Sequence, residues 1–328
     1  MYNRLVVSVA VASAMFLVAP DRSVAHAADA APRPIMLVIP TSPGGAPDAV
    51  GRVLATHMSQ RLGAGFVVVN RPGASGTIAA RSVAQATPDG HTIMLGVAAN
   101  LAVAPHSVAG GYDPTRLFSA VGLVQRGPYA VYTTPALPVG TFKDLVALAK
   151  KEPERLHFGT PGVASAHHLA WELLMARSGM RLAHVPFTGI QMVWETVAGR
   201  TQVFMTTHSS VLKQLAETGK LKVIATSGAK RLDQLSSIPT ISEQGVAGYE
   251  AYSWWGLVAP AATAPSTIAR LNAELNRALD LPEVRERLRA QGVPDERFAT
   301  TPEAFAAWIA SEYALWGKVM RERNIRLD

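Results

Sequence analysis

Short apolar segments alternate with amphipathic helical segments along most of the chain. Residues 35–39, 66–69 and 92–97 are continuous, largely β-branched runs, which is typical of strands buried on both faces. Between the first two runs, apolar residues recur every three or four positions, as on one face of a helix: Val50, Val53, Leu54, Met58 and Leu62. This order predicts βαβ units, and therefore an α/β fold with mostly parallel sheets flanked by helices.

The same alternation continues through the second half of the chain. Strands are predicted at residues 157–159, 182–187, 202–205 and 223–226. Thr141 is the predicted N-cap, the residue that flanks the start, of a helix that precedes these strands. Thr301, Pro302 and Glu303 have the N-cap hydroxyl, first-position proline and first-turn acid of another helix start. Large apolar residues follow at helical spacing, so we expect this terminal helix to pack against the rest of the protein.

The length of 328 residues is about twice that of a usual domain, so we expect two lobes. Since no low-complexity linker separates them, the chain should cross between the lobes more than once, near residues 125–134 and 252–259. We predict a discontinuous lobe 1, made of residues 33–130 plus 256–328, and a lobe 2 made of residues 131–255. A cleft should lie between the two lobes.

The composition excludes several classes of protein. With 48% hydrophobic and 17% charged residues, the chain is not of the disordered or collagen-like type. Because it has no cysteine, it can form no disulfide scaffold, thiolate metal site, iron–sulfur cluster or cysteine nucleophile. The net charge of +7 is not concentrated in any run of five or six basic residues. We therefore predict no nucleic-acid binding, but a surface that mildly attracts small anions.

The first 27 residues have the pattern of a secretory signal peptide. Residues 1–4 form a short basic start that ends in Arg4, residues 5–19 carry no charge, and Ala25 and Ala27 are the small residues that a signal peptidase reads. We predict cleavage after Ala27, export and a periplasmic location. The uncharged run is shorter than the roughly 20 residues of a spanning helix, but an N-terminal membrane anchor is the alternative.

A glycine-rich loop joins the first predicted strand to the first helix. This first loop, residues 40–48, reads PTSPGGAPD. Glycines let the backbone approach a ligand, and the free N–H groups of a helix's first turn favour a negative charge. The loop lacks the lysine and hydroxyl of a P-loop and the glycine spacing of a dinucleotide site, so a carboxylate fits better than a polyphosphate. The alternative is that Gly44 and Gly45 only form a tight turn.

A second loop of the same kind, residues 159–168, reads GTPGVASAHH. It also joins a strand to a helix, for which Ser165 is the predicted N-cap. Ligands of open α/β sheets bind at the carboxyl ends of the strands. We therefore expect the two loops, one from each lobe, to face one another across the cleft and to hold one anion from both sides.

Seven segments, in order along the chain, resemble the signature segments of the Bug, or TctC-like, periplasmic solute receptors of tripartite tricarboxylate transporters. They are residues 40–48, 69–76 (VNRPGASG), 88–96 (PDGHTIMLG), 184–189 (HVPFTG), 225–231 (ATSGAKR), 238–245 (IPTISEQG) and 254–260 (WWGLVAP). The resemblance covers essentially all of residues 33–328. It implies a two-lobed, type II-like periplasmic-binding-protein fold, a small organic or aromatic carboxylate as ligand, and capture by hinge closure. It also implies delivery to integral-membrane transporter subunits.

The resemblance further implies that loop amides, hydroxyls and bridging waters hold the carboxylate. From the two loops and the resemblance, we predict eleven ligand-binding residues: Thr41, Ser42, Gly44, Gly45, Ala46, Asp48, Thr160, Gly162, Ser165, His168 and Thr207. Asp48 has a second interpretation, because an acid in the first turn stabilises a helix whatever the function.

The chain departs from the pattern of the resembling family at informative positions. Those proteins commonly have an Asp at the position that we align with Thr207, and a Ser at the position of His167. The loss of a carboxylate and the gain of His167 and His208 should make the pocket less repellent to anions. We therefore hypothesise a ligand without a free ammonium group, such as a dicarboxylic or aromatic acid. Tight binding of an amino acid, with no binding of organic acids, would contradict this.

The sequence contains no G-x-S-x-G elbow and no H-E-x-x-H helix, and we predict no enzymatic activity, no cofactor and no metal site. Neighbouring side chains on a helix point about 100° apart, so His167 and His168 cannot easily share a metal ion. His184 is expected to be a satisfied polar group within a strand, and Trp194 to serve packing. An exported α/β hydrolase and a periplasmic sensor subunit are the alternative functions. We expect a monomer.

Overall fold

Strands and helices alternate in the described part of the chain, which in this computed structural model comprises residues 33–107, 111–290 and 301–325. The predicted signal peptide, residues 1–27, lies outside the described residues. The strands are β1 (Ile35–Ile39), β2 (Phe66–Asn70), β3 (Thr92–Val97), β4 (Phe118–Thr133), β5 (His157–Thr160), β6 (Ala183–Pro186), β7 (Val203–Thr207), β8 (Lys222–Thr226) and β9 (Tyr252–Pro260). The α-helices are α1 (Ala46–Leu62), α2 (Thr77–Ala84), α3 (Ala104–Ser107), α4 (Pro114–Leu117), α5 (Phe142–Lys151), α6 (Ala166–Ser178), α7 (Gln191–Val197), α8 (Ser210–Glu217), α9 (Pro265–Leu279), α10 (Pro282–Ala290) and α11 (Pro302–Glu322).

The strands form a mixed sheet in the order β2-β1-β3-β9-β4-β7-β5-β6, with β8 also paired to β4. β1 is parallel to β2 and β3, and β5 is parallel to β6 and β7. The long strands β4 and β9 are antiparallel to each other. In addition, β9 is antiparallel to β3, and β4 is antiparallel to β7 and β8. The fold is therefore α/β, with parallel βαβ units in each half of the sheet and antiparallel pairing where β4 and β9 run between the halves.

β4 connects the two halves of the sheet. Its residues 118–128 pair with β9, and its residues 129–133 pair with β7 and β8. The chain thus passes between the halves along β4 and β9, close to the two crossings that the sequence predicts. The described residues, 33–107, 111–290 and 301–325, belong to one compact unit. The division into a lobe 1 and a lobe 2 that move separately stays a prediction.

Apolar side chains from both faces of the sheet form the core. In β1, Leu37 and Ile39 pack into a cluster beneath α1 and α9, whereas Val38 packs into a cluster on the opposite face. This confirms that β1 is buried on both faces, which is why its sequence is apolar without alternation. The cluster that contains Val38 continues along the sheet to β5, where it includes Phe158. Helix α11 covers this cluster.

The predicted helix starts are confirmed by their hydrogen bonds. Thr141 and Asp144 form a reciprocal capping box, with Oγ1 and Oδ2 each accepting from the other residue's backbone N–H. Thr301 Oγ1 accepts from the backbone N–H of Ala304 at 3.2 Å and so begins α11.

The assignment of Trp194 to packing is wrong, because this residue is 47% exposed on α7. Of the described helices, none combines the length and apolar character needed to cross a lipid bilayer.

Candidate functional site

The carboxyl ends of the parallel strands in the two halves point towards each other along β4. β3 ends at Val97, which pairs with Trp255 of β9, and Trp255 pairs in turn with Gln125 of β4. β7 runs in the opposite direction and ends at Thr207, which pairs with Tyr129 of β4. Gln125 and Tyr129 are four residues apart on β4, which corresponds to roughly 13 Å along the strand. The loops that follow the two sets of strands therefore emerge over the same short segment of β4.

The two predicted loops leave the sheet at these facing ends. The first loop follows β1, which is parallel to β3, and the second loop follows β5, which is parallel to β7. The predicted site residues on the first loop, the second loop and the end of β7 are thus placed at facing edges: Thr41, Ser42, Gly44, Gly45, Ala46, Asp48, Thr160, Gly162, Ser165, His168 and Thr207. That they bind a ligand stays a prediction.

The first loop leaves the start of α1 open. Gly45 is the N-cap residue, and no side chain caps the helix, which also has a proline in its first turn. Gly44 has a φ of +83°, a conformation that favours glycine over any residue with a Cβ. The hydroxyl Oγ1 of Thr41 is buried and has no hydrogen-bond partner within the described residues. Backbone N–H groups are therefore available at this helix start.

Asp48 is buried behind the first loop and holds it in place. Its Oδ2 accepts hydrogen bonds from the backbone N–H of Gly44 at 2.9 Å and from Arg52 Nε at 3.1 Å. Its Oδ1 accepts from Asn70 Nδ2 at 3.0 Å, and the same nitrogen donates to the Thr41 carbonyl at 3.0 Å. The hydrogen bond from Arg52 is the main cause that lowers the pKa of Asp48 to about 2. Both carboxylate oxygens are thus engaged inside the protein, which favours the structural interpretation of Asp48.

Asn70 and Arg52 are supporting residues that the sequence analysis missed. Asn70 is the last residue of β2 and lies beside Ile39, the last residue of β1. A polar residue at the end of an apolar strand was the only signal for Asn70, and it lies within a segment quoted for the family resemblance. For Arg52 the signal was its position four residues after Asp48, which places both on one face of α1.

Thr160 and Ser165 shape the second loop from its two ends. Thr160 Oγ1 lies 3.1 Å from the carbonyl oxygen of Gly162, 3.2 Å from the nitrogen of Gly162, and 2.6 Å from His184 Nε2. Gly162 has a φ of +142°, which a side chain would strain. Ser165 Oγ accepts from the backbone N–H of His168 at 3.2 Å, so the predicted N-cap of α6 is confirmed.

His168 supports the second loop from within the protein. It is only 6% exposed, and its Nδ1 accepts from the backbone N–H of Ala164 at 3.1 Å. Its Nε2 lies 3.6 Å from Glu172 Oε1, and its ring stacks on His184 with 3.9 Å between ring centroids. The imidazole is therefore used by the loop, and direct contact of His168 with a ligand stays a prediction. His184 is a hydrogen-bonded group within β6, as expected.

Two further histidines, His167 and His208, lie near the carboxyl end of β7. His167 Nε2 lies 3.3 Å from Thr206 Oγ1, and its ring lies 4.8 Å from that of Tyr129. His208 Nδ1 lies 2.6 Å from Tyr132 Oη. Burial lowers the pKa of His167 to about 4 and also lowers the pKa of His208, so both rings are neutral at pH 7. Across the three described ranges, no group of three or more His, Asp or Glu side chains could hold a metal ion.

Comparisons with known proteins agree with this architecture. The model of the tripartite tricarboxylate transporter family receptor, TctC, matches residues 50–325. The "UPF0065 protein in tcbD-tcbE intergenic region" of Pseudomonas sp. strain P51 is 35% identical over 304 residues, which are 90% of this chain and 88% of that protein. The solved structure of R. palustris Rpa4515 with adipate is 33% identical, with a TM-score of 0.77 over 90% of this chain and 98% of that one. MatC (Rpa3494) from Rhodopseudomonas palustris with bound malate is 28% identical, with a TM-score of 0.74 over 88% of this chain and 98% of that one.

The resemblance that the sequence segments carry is therefore confirmed over most of the chain. The family and the fold are those of periplasmic solute-binding proteins and not of enzymes, so the hydrolase alternative is not supported. Relatives with this fold bind the carboxylates adipate and malate. With a family match over residues 50–325 and a 35% identical relative, the chain belongs to the TctC, or Bug, family of tripartite tricarboxylate transporter receptors.

Proposed function

We propose that this protein is a periplasmic solute receptor that binds one small carboxylate between the first and second loops and delivers it to membrane transporter subunits. The observation that carries the proposal is the register of β4, which brings the ends of β3 and β7 to neighbouring levels from opposite directions. Two related proteins hold adipate and malate, which supports a carboxylate as the ligand.

In this proposal, the first loop supplies the main contacts to the carboxylate. The open start of α1 offers the backbone N–H groups of Gly45 and Ala46, and Thr41 and Ser42 offer hydroxyls beside them. A hydrogen bond to a charged group contributes about 1.5–3 kcal/mol, so a few such bonds can replace the water lost by a carboxylate. Asp48 contributes indirectly, because its charge is compensated by Arg52 and its oxygens hold the loop.

The second loop and the end of β7 would complete the site from the other side. Thr160 and Gly162 set the shape of this loop, and the start of α6 after Ser165 directs backbone N–H groups towards the ligand. Thr207 and the neutral ring of His167 would offer hydrogen bonds without a charge. Because this side would then hold uncharged donors and no compensating acid for an ammonium, an organic di-acid or an aromatic acid fits better than an amino acid.

Capture would require the two lobes to move about β4 and β9. Contacts made only when both loops reach the ligand favour the closed form, and a change from 1:99 to 99:1 needs about 5.5 kcal/mol of such a difference. The closed form would then be the one that transporter subunits recognise. Export would follow from the signal peptide of residues 1–27, and N-terminal sequencing of the protein recovered from the periplasm should begin at residue 28.

A thermal-shift screen tests the proposed ligand class. The purified protein is heated with adipate, malate, benzoate and, as an ammonium-bearing comparison, glutamate. We expect one of the organic acids to raise the melting temperature, with a one-to-one stoichiometry by calorimetry and no turnover. A response to glutamate alone, or to none of a wider set of carboxylates, would contradict the proposal.

A matched pair of variants tests the location of the site. A Cβ at Gly45 would make only ordinary contacts, 3.6 Å from the Ser42 carbonyl oxygen, so Gly45→Val should fold while its side chain enters the first loop. Gly65→Val is the control, because a Cβ there meets nothing within 4 Å. Gly65 precedes β2, so it lies at the end of that strand opposite to Asn70 and the first loop. We expect Gly45→Val to weaken carboxylate binding by at least about tenfold and Gly65→Val to leave it unchanged.

A further inference from the structure

We propose that the stacked imidazoles of His168 and His184 are the positioning residues of the second loop: they hold its backbone in the binding conformation without contacting the ligand. This proposal rests on the proposed function for its consequence in binding. The conformational part of it concerns the protein without any ligand.

His168 holds the strained part of the loop. Ala164 has a φ of +51°, in the left-handed region that is unfavourable for a residue with a Cβ. Its backbone N–H donates to His168 Nδ1 at 3.1 Å, and Ala164 is only 1% exposed, so no water can replace this acceptor. The imidazole nitrogen therefore compensates for a backbone conformation that the chain would otherwise avoid.

His184 holds the other end of the loop through Thr160. The Thr160 hydroxyl contacts both the nitrogen and the carbonyl oxygen of Gly162, and His184 Nε2 lies 2.6 Å from the same hydroxyl. Because the hydroxyl donates its one proton to the Gly162 carbonyl, its hydrogen bond with His184 must use the N–H of His184 Nε2 as the donor. His184 thus orients a hydroxyl that fixes the glycine at a φ of +142°.

The stack makes the two supports one unit. The ring centroids lie 3.9 Å apart with 11° between the ring planes, and the ring of Phe158 on β5 lies against both imidazoles, 4.9 Å from His184 and 6.2 Å from His168. Since His168 Nδ1 accepts a backbone hydrogen bond, its proton is on Nε2, which faces Glu172 Oε1 at 3.6 Å. Glu172 is in turn held by Arg323 Nε at 2.7 Å, so the pair is oriented by a carboxylate fixed to the end of α11.

The test compares substitutions that keep or remove one hydrogen bond. His168→Asn retains an acceptor near the position of Nδ1, whereas His168→Leu removes it, and both variants lose the stacked ring. Hydrogen–deuterium exchange of the ligand-free protein is followed in residues 159–166, with residues 41–48 of the first loop as an internal reference. We expect His168→Leu to accelerate exchange in the second loop by about tenfold, and His168→Asn to stay near the original protein.

Two outcomes overturn the proposal. One is unchanged exchange in His168→Leu, and the other is equal acceleration in His168→Leu and His168→Asn, which would mean that the acceptor has no special role. Should His168→Leu fail to fold, His184→Leu against His184→Gln decides the question in the same way, because Gln retains a donor near the position of Nε2.

Titration with adipate, malate and benzoate separates this proposal from the proposed function. If the original protein and both His168 variants bind none of these acids and none of the wider set of carboxylates, the proposed function fails, while the exchange result still decides the positioning role. If adipate binds, His168→Leu should weaken it by about tenfold and His168→Asn by much less. Equal affinity of adipate for all three proteins would overturn the consequence that we draw for binding.

Discussion

Asn70 Nδ2 lies 3.0 Å from the carboxylate of Asp48, a residue that is 22 positions away in the sequence. This hydrogen bond ties the end of β2 to the first turn of α1. Because the same nitrogen also donates to the Thr41 carbonyl, the shape of the first loop depends on a residue outside that loop.

Replacement of Asn70 by Leu should destabilise the protein and weaken ligand binding together. The substitution removes the amide that donates to Asp48 and to the carbonyl of Thr41 and that accepts from Arg52 Nη2, which costs about 1–3 kcal/mol of the free energy of unfolding. Urea denaturation measures this loss. Asn276→Leu is the control, because it also removes a partly buried amide, one that donates to Asn272 within α9 and not to the first loop. Equal losses in the two variants would mean that Asn70 has no special role.

Gly256→Ala should destabilise the strand pair that joins the two halves of the sheet. A Cβ at this position would lie 2.8 Å from the backbone oxygen of Gly122 and would also overlap the ring of Phe305. Since a backbone atom of the paired strand cannot move away, overpacking should cost about 1–3 kcal/mol or more. Thermal unfolding of Gly256→Ala and of Gly65→Ala, where a Cβ meets nothing, gives the comparison. A melting temperature for Gly256→Ala as high as that of the control would contradict the close approach.

Acidification should destabilise the protein between pH 6.5 and pH 4, partly through His184. Burial is the main cause that lowers the pKa of His184 from 6.5 to about 4, against the opposing effect of Glu172. Between pH 6.5 and pH 4, His184 is therefore protonated in the unfolded chain but neutral in the folded protein. Its contribution to the free energy of unfolding is complete above pH 6.5 and is lost as the pH falls to 4. It amounts to about 3 kcal/mol at most.

The measurement is urea denaturation at several pH values for the original protein and for His184→Gln. The variant has no titrating ring at this position, so its free energy of unfolding should fall less steeply below pH 6.5. Burial lowers the pKa of His167 to about 4 as well, so part of the slope should remain in the variant. Identical slopes for the two proteins would show that His184 titrates alike in the folded and unfolded chains.

Glu312 should tolerate replacement by Gln far better than by Leu. Its Oε2 accepts hydrogen bonds from Trp254 Nε1 at 2.8 Å and from Trp316 Nε1 at 3.0 Å, and burial raises the pKa of this carboxyl group. Gln keeps an acceptor, whereas Leu leaves two buried indole N–H groups unsatisfied, at about 1–3 kcal/mol for each. Urea denaturation followed by tryptophan fluorescence measures the difference. Similar stability of both variants would show that the indole hydrogen bonds contribute little.

Local features of the fold could be predicted from the sequence because they depend on neighbouring residues. The apolar runs predicted β1 and β3 at the residues where they lie, and the hydroxyls of Thr141, Ser165 and Thr301 predicted three helix starts. Each prediction rests on an interaction within a few positions, such as an N-cap oxygen that accepts from a backbone N–H three residues ahead. The family resemblance was likewise available from short segments in order.

Other features depended on contacts between distant segments. The antiparallel pairing of β3, β4 and β9 could not be inferred from apolar runs, because a strand buried on both faces has the same pattern in either direction. The sequence analysis also assigned Trp194 to packing, while the fold leaves it 47% exposed. An aromatic residue on a short helix carries no information about which face the sheet will cover.

The order of elements, the family and the two glycine-rich loops could be inferred from the sequence, since they follow from local periodicity, capping and motif. The support of the first loop by Asn70, and the stacking of His168 on His184, 16 positions away, became visible only in the folded protein, because such pairings arise when separate strands align in one register. The strand ends meet along β4 for the same reason: hydrogen bonding between strands sets their level, and that level is not encoded in any one segment.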